Sequence, residues 1–323
     1  MEPPTAARQS SLGRFLMIKE VPLALVILAA VIALSIAKPT FLIPGNIHAV
    51  FLGSSFEMII AIGMTLLFIM GGFDLSVGSV AGFSGVILGL AIHNGLGIPG
   101  GIVSGLAAAT LVGLLNGLII AKIRVNALIT TLAMQSIVRG IIYILTQGVG
   151  RPNLPDEFNV IGRVTWLGIQ SPIYLSVALM VVFGVLFARS GWYRQYYFIG
   201  GNVEAAKLSG IKVDRLRVYA YTFVGFMSGL SGIFLASRMG GAIPTQGQGM
   251  EMNVIAGCVI GGCSLAGGEG SMFGSFLGML IMALVLNAFN LIGVNIYWQR
   301  LILGLILLAA VLGDVFRKRR LEG

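Results

Sequence analysis

Five ionisable side chains stand inside stretches that are otherwise apolar: Glu57, Asp74, Arg139, Glu251 and Arg300. A charge at the centre of a bilayer costs about 2.5–3.5 kcal/mol on insertion scales, so such residues are usually kept for a task. Asp74 has the most distinctive setting, Gly71-Gly72-Phe73-Asp74-Leu75-Ser76-Val77-Gly78-Ser79. Read as one helix, residues 56–92 run far beyond the ~20 residues a bilayer core requires. Read as two helices, they place glycines, two serines and an aspartate at the junction. Glycine lets the chain turn where other residues clash. A broken helix in a membrane is tolerated only when buried in protein or lining a water-filled path. The sequence therefore offers hydrogen bonding and backbone rearrangement, centred on a polar break.

Bond-making chemistry has no comparable footing. No Gly-x-x-x-x-Gly-Lys-Ser/Thr run occurs, so the chain carries no nucleotide loop of that kind. Gly268-Glu269-Gly270-Ser271-Met272-Phe273-Gly274 resembles a dinucleotide fingerprint but is one residue too long and lies between apolar runs. Neither Gly-x-Ser-x-Gly nor His-Glu-x-x-His is present. His48 and His93 each stand alone near a helix end, and Cys258 and Cys263 read as small apolar packers. We expect no catalytic residue, no metal site and no cofactor in this chain. Neutral polar groups are plentiful: Asn116, Asn126, Thr130, Thr131, Gln135, Asn253, Asn287, Asn290 and Gln299. Amides and hydroxyls donate and accept, which suits an uncharged polyhydroxylated ligand. Their competing role is to join helices, at about 0.6 kcal/mol per contact.

The elements that must position these groups follow from composition. The chain has 323 residues, 57% hydrophobic and 10% charged, and a mean hydropathy of +0.95. Soluble domains run at about 25% charged, so this is a polytopic helical membrane protein. Apolar runs at about 21–37, 49–70, 75–92, 98–121, 126–147, 172–188, 218–237, 253–265, 271–292 and 296–314 predict an all-α transmembrane bundle of about ten helices. The first run resembles a signal peptide, yet its polar lead-in is long, and we read it as a retained helix. With the N-terminus inside, fifteen Lys and Arg fall on the inner side and four on the outer. That bias predicts both ends in the cytoplasm. It also accounts for the net charge of +9 without a nucleic-acid partner.

We divide the chain into an inner N-terminal segment (1–20), one transmembrane domain (21–316) and a basic tail (317–323). The outer loop at 148–171 carries Pro152, Pro155, Asp156, Glu157 and Trp166, and is placed over an external entrance. The inner segment 189–217 contains a short helix at 203–209, with Asn202 as its cap and Gly210 as its stop. A helix so short needs something to dock against. The first break also echoes later: Gly71-Gly72-x-Asp74-Leu75-x-x-Gly78 returns as Gly261-Gly262-x-Ser264-Leu265-x-x-Gly268, and Glu57-Met58 returns as Glu251-Met252. Such an echo suggests duplicated halves around one pathway.

The 71–79 stretch resembles the Gly-Gly-x-Asp-Leu-Ser-Val-Gly-Ser signature of permease subunits of ribose/arabinose/xylose-type ABC importers. Val125-Asn126-Ala127-Leu128-Ile129-Thr130-Thr131-Leu132, followed by Arg139-Gly140, is similar to that family's fifth-helix region. Gly200-Gly201-Asn202-x-x-Ala205-Ala206-x-x-Ser209-Gly210-Ile211-x-Val213 looks like its cytoplasmic segment, and the 261–270 glycine run matches too. One departure is Phe73, where isoleucine is commoner. The resemblance implies a homodimer in the bacterial inner membrane, importing a monosaccharide. It implies a cytoplasmic ATP-binding subunit that holds ATP and Mg²⁺, and an extracytoplasmic sugar-binding protein. Gly201, Asn202, Glu204, Ala205, Ala206, Lys207, Ser209 and Gly210 are then expected to couple to the ATPase. Asp74, Ser76, Asn126, Thr130, Gln135, Asn253, Ser264 and Asn287 are expected along the substrate pathway, and Asp156 and Glu157 at the binding-protein dock. Autoinducer-2, nucleoside and polyol permeases, and an ion-coupled transporter using Asp74 with Arg139, stand as alternatives.

Overall fold

A computed structural model describes residues 20–322, so the first nineteen residues of the expected inner segment lie outside it. Eight helical stretches among the described residues are long and apolar enough to cross a membrane. The order is α1 (Glu20–Ala37), α2 (Pro44–Ile69), α3 (Val77–Ala91), α4 (Gly97–Leu118), α5 (Ala127–Thr146), α6 (Asp156–Arg163), α7 (Ser171–Arg189), α8 (Gly191–Gly201), α9 (Val203–Leu208), α10 (Val213–Met239), α11 (Met250–Ile260), α12 (Met272–Ile292) and α13 (Ile296–Glu322). Helices α3 and α4 belong to one 47-residue apolar stretch, Val77–Ile123, bent at Gly95 (φ 86°) so that the two arms pack on each other. Sheet is confined to the outer side, where β1 (Arg151–Pro152) pairs with β4 (Gly241–Ala242) and β2 (Thr165–Trp166) with β3 (Ile169–Gln170).

Helix α2 is the axis of the bundle, buried over 94% of its most apolar window. Its 26 residues extend about 39 Å, enough to cross the hydrocarbon core. Helices α7, α10, α11 and α12 pack around it. Van der Waals packing rather than hydrophobic expulsion holds helices together in lipid, so small residues mark the tightest crossings. At the α4–α10 crossing a Cβ on Gly225 would lie 2.7 Å from the Ala109 carbonyl oxygen, closer than any side chain can sit.

The ten apolar runs all appear as helix, with one departure in depth. The 253–265 run becomes α11, whose 11 residues rise only about 16 Å and cannot cross alone. The missing depth is covered by residues 243–249, an irregular segment whose Pro244, Gln246 and Gly247 are buried in the bundle. Local turns take up the Gln246 and Gln248 amides, and Arg139 Nη1 donates to the carbonyls of Pro244 at 2.8 Å and Gln246 at 3.0 Å. Gln246 is itself buried and donates to Gly232 O at 2.7 Å. Non-helical backbone survives here because protein groups replace water as its partners.

Candidate functional site

Two breaks interrupt the bundle, residues 70–76 between α2 and α3 and residues 261–271 between α11 and α12. On the topology set by the basic residues, both lie at the cytoplasmic end. They touch: the Gly268 amide donates to Ile69 O at 2.9 Å. In the first break Asp74 is 2% exposed and accepts from the Ser76 amide (2.7 Å), the Ser76 hydroxyl (2.6 Å) and Asn116 Nδ2 (3.1 Å). Asn116 Nδ2 also reaches Ser76 Oγ at 3.0 Å. The carboxylate thus holds the start of α3 to α4, a location where the helix dipole also favours negative charge. In the second break Ser264 is fully buried and donates to Asp314 on α13 at 2.9 Å.

The other residues expected along the pathway fall in three places. Gln135 and Asn253 come together with two buried carboxylates in the middle of the bundle. Gln135 Nε2 donates to Glu251 at 3.0 Å and Asn253 Nδ2 to Glu57 at 2.7 Å. Asn126 stands at the cytoplasmic mouth, where its side chain caps α5 by accepting from the Leu128 amide at 2.9 Å, and Thr130 donates to Asn126 O. Asn287 lies on the outer half of α12 and exchanges hydrogen bonds with Asn46 at 2.7 and 3.2 Å. By their chemistry Asn126, Thr130 and Asn287 form one group of expected sugar contacts, but the fold sets Asn287 apart from the other two. The relay alternative meets a similar obstacle, because Asp74 and Arg139 are bonded to different groups.

The inner segment forms two helices that lie between the breaks in sequence and beside them in space. Asn202 caps α9 by accepting from the Ala205 amide at 3.0 Å, and Gly210 turns the chain away with φ 82°. Glu204 and Lys207 pair across one turn at 2.7 Å, and that lysine holds the Glu204 carboxyl below its ordinary range. A cavity of about 450 Å³ separates this pair from Gly71, Gly72 and Asn126. Ala206 is only 3% exposed and packs in the core of its own chain, whereas the other residues expected to couple are exposed. On the same helix Leu208 is 91% exposed, a residue that no sequence pattern singles out. A leucine beside the Gly210 stop is an ordinary helix residue by composition, and only the folded face reveals it.

On the outer side Asp156 and Glu157 occupy the exposed first turn of α6. Helix α6 is fixed to α10 by Ser237, which accepts from the Gly162 amide at 2.8 Å and donates to Phe158 O at 2.7 Å. The outer loop is therefore a folded cap over the end of α10.

Comparison with known proteins gives a consistent result. Residues 46–311 match the family model described as branched-chain amino acid transport system / permease component. The L-arabinose ABC transporter permease protein AraH of Azospirillum brasilense is 37% identical over 308 residues, covering 95% of this chain and 91% of the relative. The L-arabinose transport system permease protein AraH of Escherichia coli K12 is 39% identical, with coverages of 89% and 88%. The ribose import permease protein RbsC of Haemophilus influenzae is 37% identical, with coverages of 94% and 94%. No solved structure matches the chain.

Proposed function

The chain belongs to the family described as branched-chain amino acid transport system / permease component, and on that premise we propose that it is the membrane subunit of an ATP-driven monosaccharide importer. It is a multi-pass protein of the bacterial inner membrane. The family description names amino acids, whereas the relatives above are named for arabinose and ribose. End-to-end similarity to those sugar permeases is the observation that carries the substrate class.

The motor is a separate cytoplasmic subunit that binds ATP and Mg²⁺, and it docks on α9 and its exposed Leu208. An extracytoplasmic binding protein delivers the sugar to the outer cap. A second copy of the chain completes the pathway. The membrane subunit supplies no bond-making step; it converts movement at α9 into opening of a polar route.

The test is uptake by vesicles holding the chain with its ATPase and binding protein. Labelled L-arabinose, D-ribose and D-xylose are offered with and without ATP. Accumulation of at least one pentose that needs ATP and survives collapse of the membrane potential is expected. Uptake that follows the potential and ignores ATP would overturn the reading.

A further inference from the structure

Three backbone segments meet at the cytoplasmic end with no side chain between them: the end of α2, the last turn of α8 and the second break. A Cβ on Gly200 would overlap both the Ile69 carbonyl oxygen and the Gly268 amide nitrogen, the two atoms that join the breaks. Gly267 is as closely held, since a Cβ there would lie 2.8 Å from Gly71 Cα and 3.0 Å from Gly200 Cα. Gly200 sits within helix α8, a conformation open to any residue, so its glycine serves closeness rather than torsion. Three residues earlier on α8, the Tyr197 hydroxyl donates to Gly270 O at 2.9 Å. Two residues later Asn202 caps α9. Tyr196 and Ile199, both fully buried, seat α8 in the same core as Ile69 and Met70.

We propose that Gly200 is the joint of the transporter, the positioning residue through which displacement of α9 moves both breaks as one body, with Tyr197 as its second tie. This rests on the importer reading above. The physical basis is compliance. Side chains can change rotamer and absorb a small shift, whereas backbone pressed on backbone must pass it on. Asn202 alone separates α8 from α9, which leaves no slack between joint and coupling helix. Movement at α9 reaches the Ile69–Gly268 hydrogen bond directly, and through it the two segments that carry Asp74 and Ser264.

The experiment uses the assembled importer in vesicles and reads three quantities: basal ATPase, ATPase stimulated by sugar-loaded binding protein, and sugar moved per ATP. Gly200→Ala forces the two breaks off α8. Assembly and basal ATPase should persist, while stimulated ATPase and sugar per ATP fall about tenfold, within the ~5–150-fold range of coupling free energies. Gly191→Ala, at the start of the same helix where a Cβ meets nothing within 4 Å, should match the wild type. If Gly200→Ala does not assemble, Tyr197→Phe decides, since it removes one hydroxyl and keeps the ring. Its sugar per ATP should fall at least about twofold, with basal ATPase kept, as expected for one lost hydrogen bond. Full transport per ATP in Gly200→Ala, or in Tyr197→Phe where the first variant fails, would overturn the joint. A wild type that moves no sugar with ATP would instead remove the importer reading.

Discussion

Asp314 Oδ2 accepts the Ser264 hydroxyl at 2.9 Å, and the same oxygen accepts the Leu265 amide at 3.3 Å. The second break has a serine where the first has Asp74, and α13 supplies the carboxylate from outside. Each break is thereby organised by one acid that accepts a serine hydroxyl and a backbone amide, both from Ser76 at the first and from Ser264 and Leu265 at the second. The echo in the sequence thus aligns a donor, Ser264, with an acceptor, Asp74, and the acid comes from a different element in each break.

Removing either acid strands buried donors, at about 1–3 kcal/mol for each group left unpaired. Asp74→Asn keeps one acceptor oxygen and should retain partial transport, whereas Asp74→Ala should lose most of it at equal membrane expression. Asp314→Asn and Asp314→Ala should follow the same order. Sugar uptake per unit of folded protein is the measurement. Equal and complete loss in Asp74→Asn and Asp74→Ala would mean the charge itself is required, as an ion relay demands.

The contrast between Ala206 and Leu208 separates folding from docking. Ala206→Asp puts a carboxylate into a packed contact within this chain and should lower thermal stability, since an unpaired buried charge costs several kcal/mol. Leu208→Ala should leave stability unchanged, because the side chain is 91% exposed, yet weaken ATPase binding by about 1.5–3 kcal/mol if it becomes fully buried there. Melting curves of the free subunit and affinity for the ATPase check the two halves. A Leu208→Ala protein that binds the ATPase at full strength would move the docking surface elsewhere.

At the outer cap, Asp156 and Glu157 stand in the first turn of α6, next to its positive dipole end. Reversing both to lysine should slow association of the binding protein and flatten its dependence on salt, because rim charges act mainly on encounter. A small loss of α6 stability, about 0.3–1 kcal/mol per charge, accompanies the change. Association rates measured across ionic strength would be unaltered if the cap is not the dock.

Much of this architecture is legible in the amino-acid sequence. Hydropathy marks every long helix, because a bilayer forces backbone groups to bond within the segment. Asn202 and Gly210 bracket α9 through local chemistry alone, as a cap and a turn residue. What sequence patterns do not reveal depends on contacts between distant segments. Residues 243–249 look like a surface loop, and Arg139, over 100 positions earlier, takes up the carbonyls of Pro244 and Gln246 that turn hydrogen bonds leave over. Asp314 reads as the polar end of a last helix until Ser264 is found against it. The separation of Asn287 from Asn126 and Thr130 in depth has the same cause, since composition gives a side chain's chemistry and not its height in the membrane.

The breaks themselves give the most direct view of the transport cycle. Ser76 and Ser264 are both fully buried here, while Ala266, inside the second break, is exposed. If the breaks move as one body during transport, a cysteine at either serine should be silent to a small water-soluble thiol reagent in this conformation and react once the route opens. Cysteine at Ala266 should react in every state and report that the reagent reaches the cytoplasmic face. The native Cys258 and Cys263 are buried and must first be replaced by serine or alanine so that only the introduced thiol is read. Labelling rates are then compared without nucleotide, with trapped ATP and after hydrolysis, in the assembled importer. A rate at Ser76→Cys and Ser264→Cys that rises together in one nucleotide state is the expected outcome, since the Ile69–Gly268 bond ties the two segments. A rise at one position alone would separate the breaks mechanically. Silence at both in every state, with Ala266→Cys labelled throughout, would make them fixed packing elements and put the route along the Gln135–Glu251 and Asn253–Glu57 contacts without them.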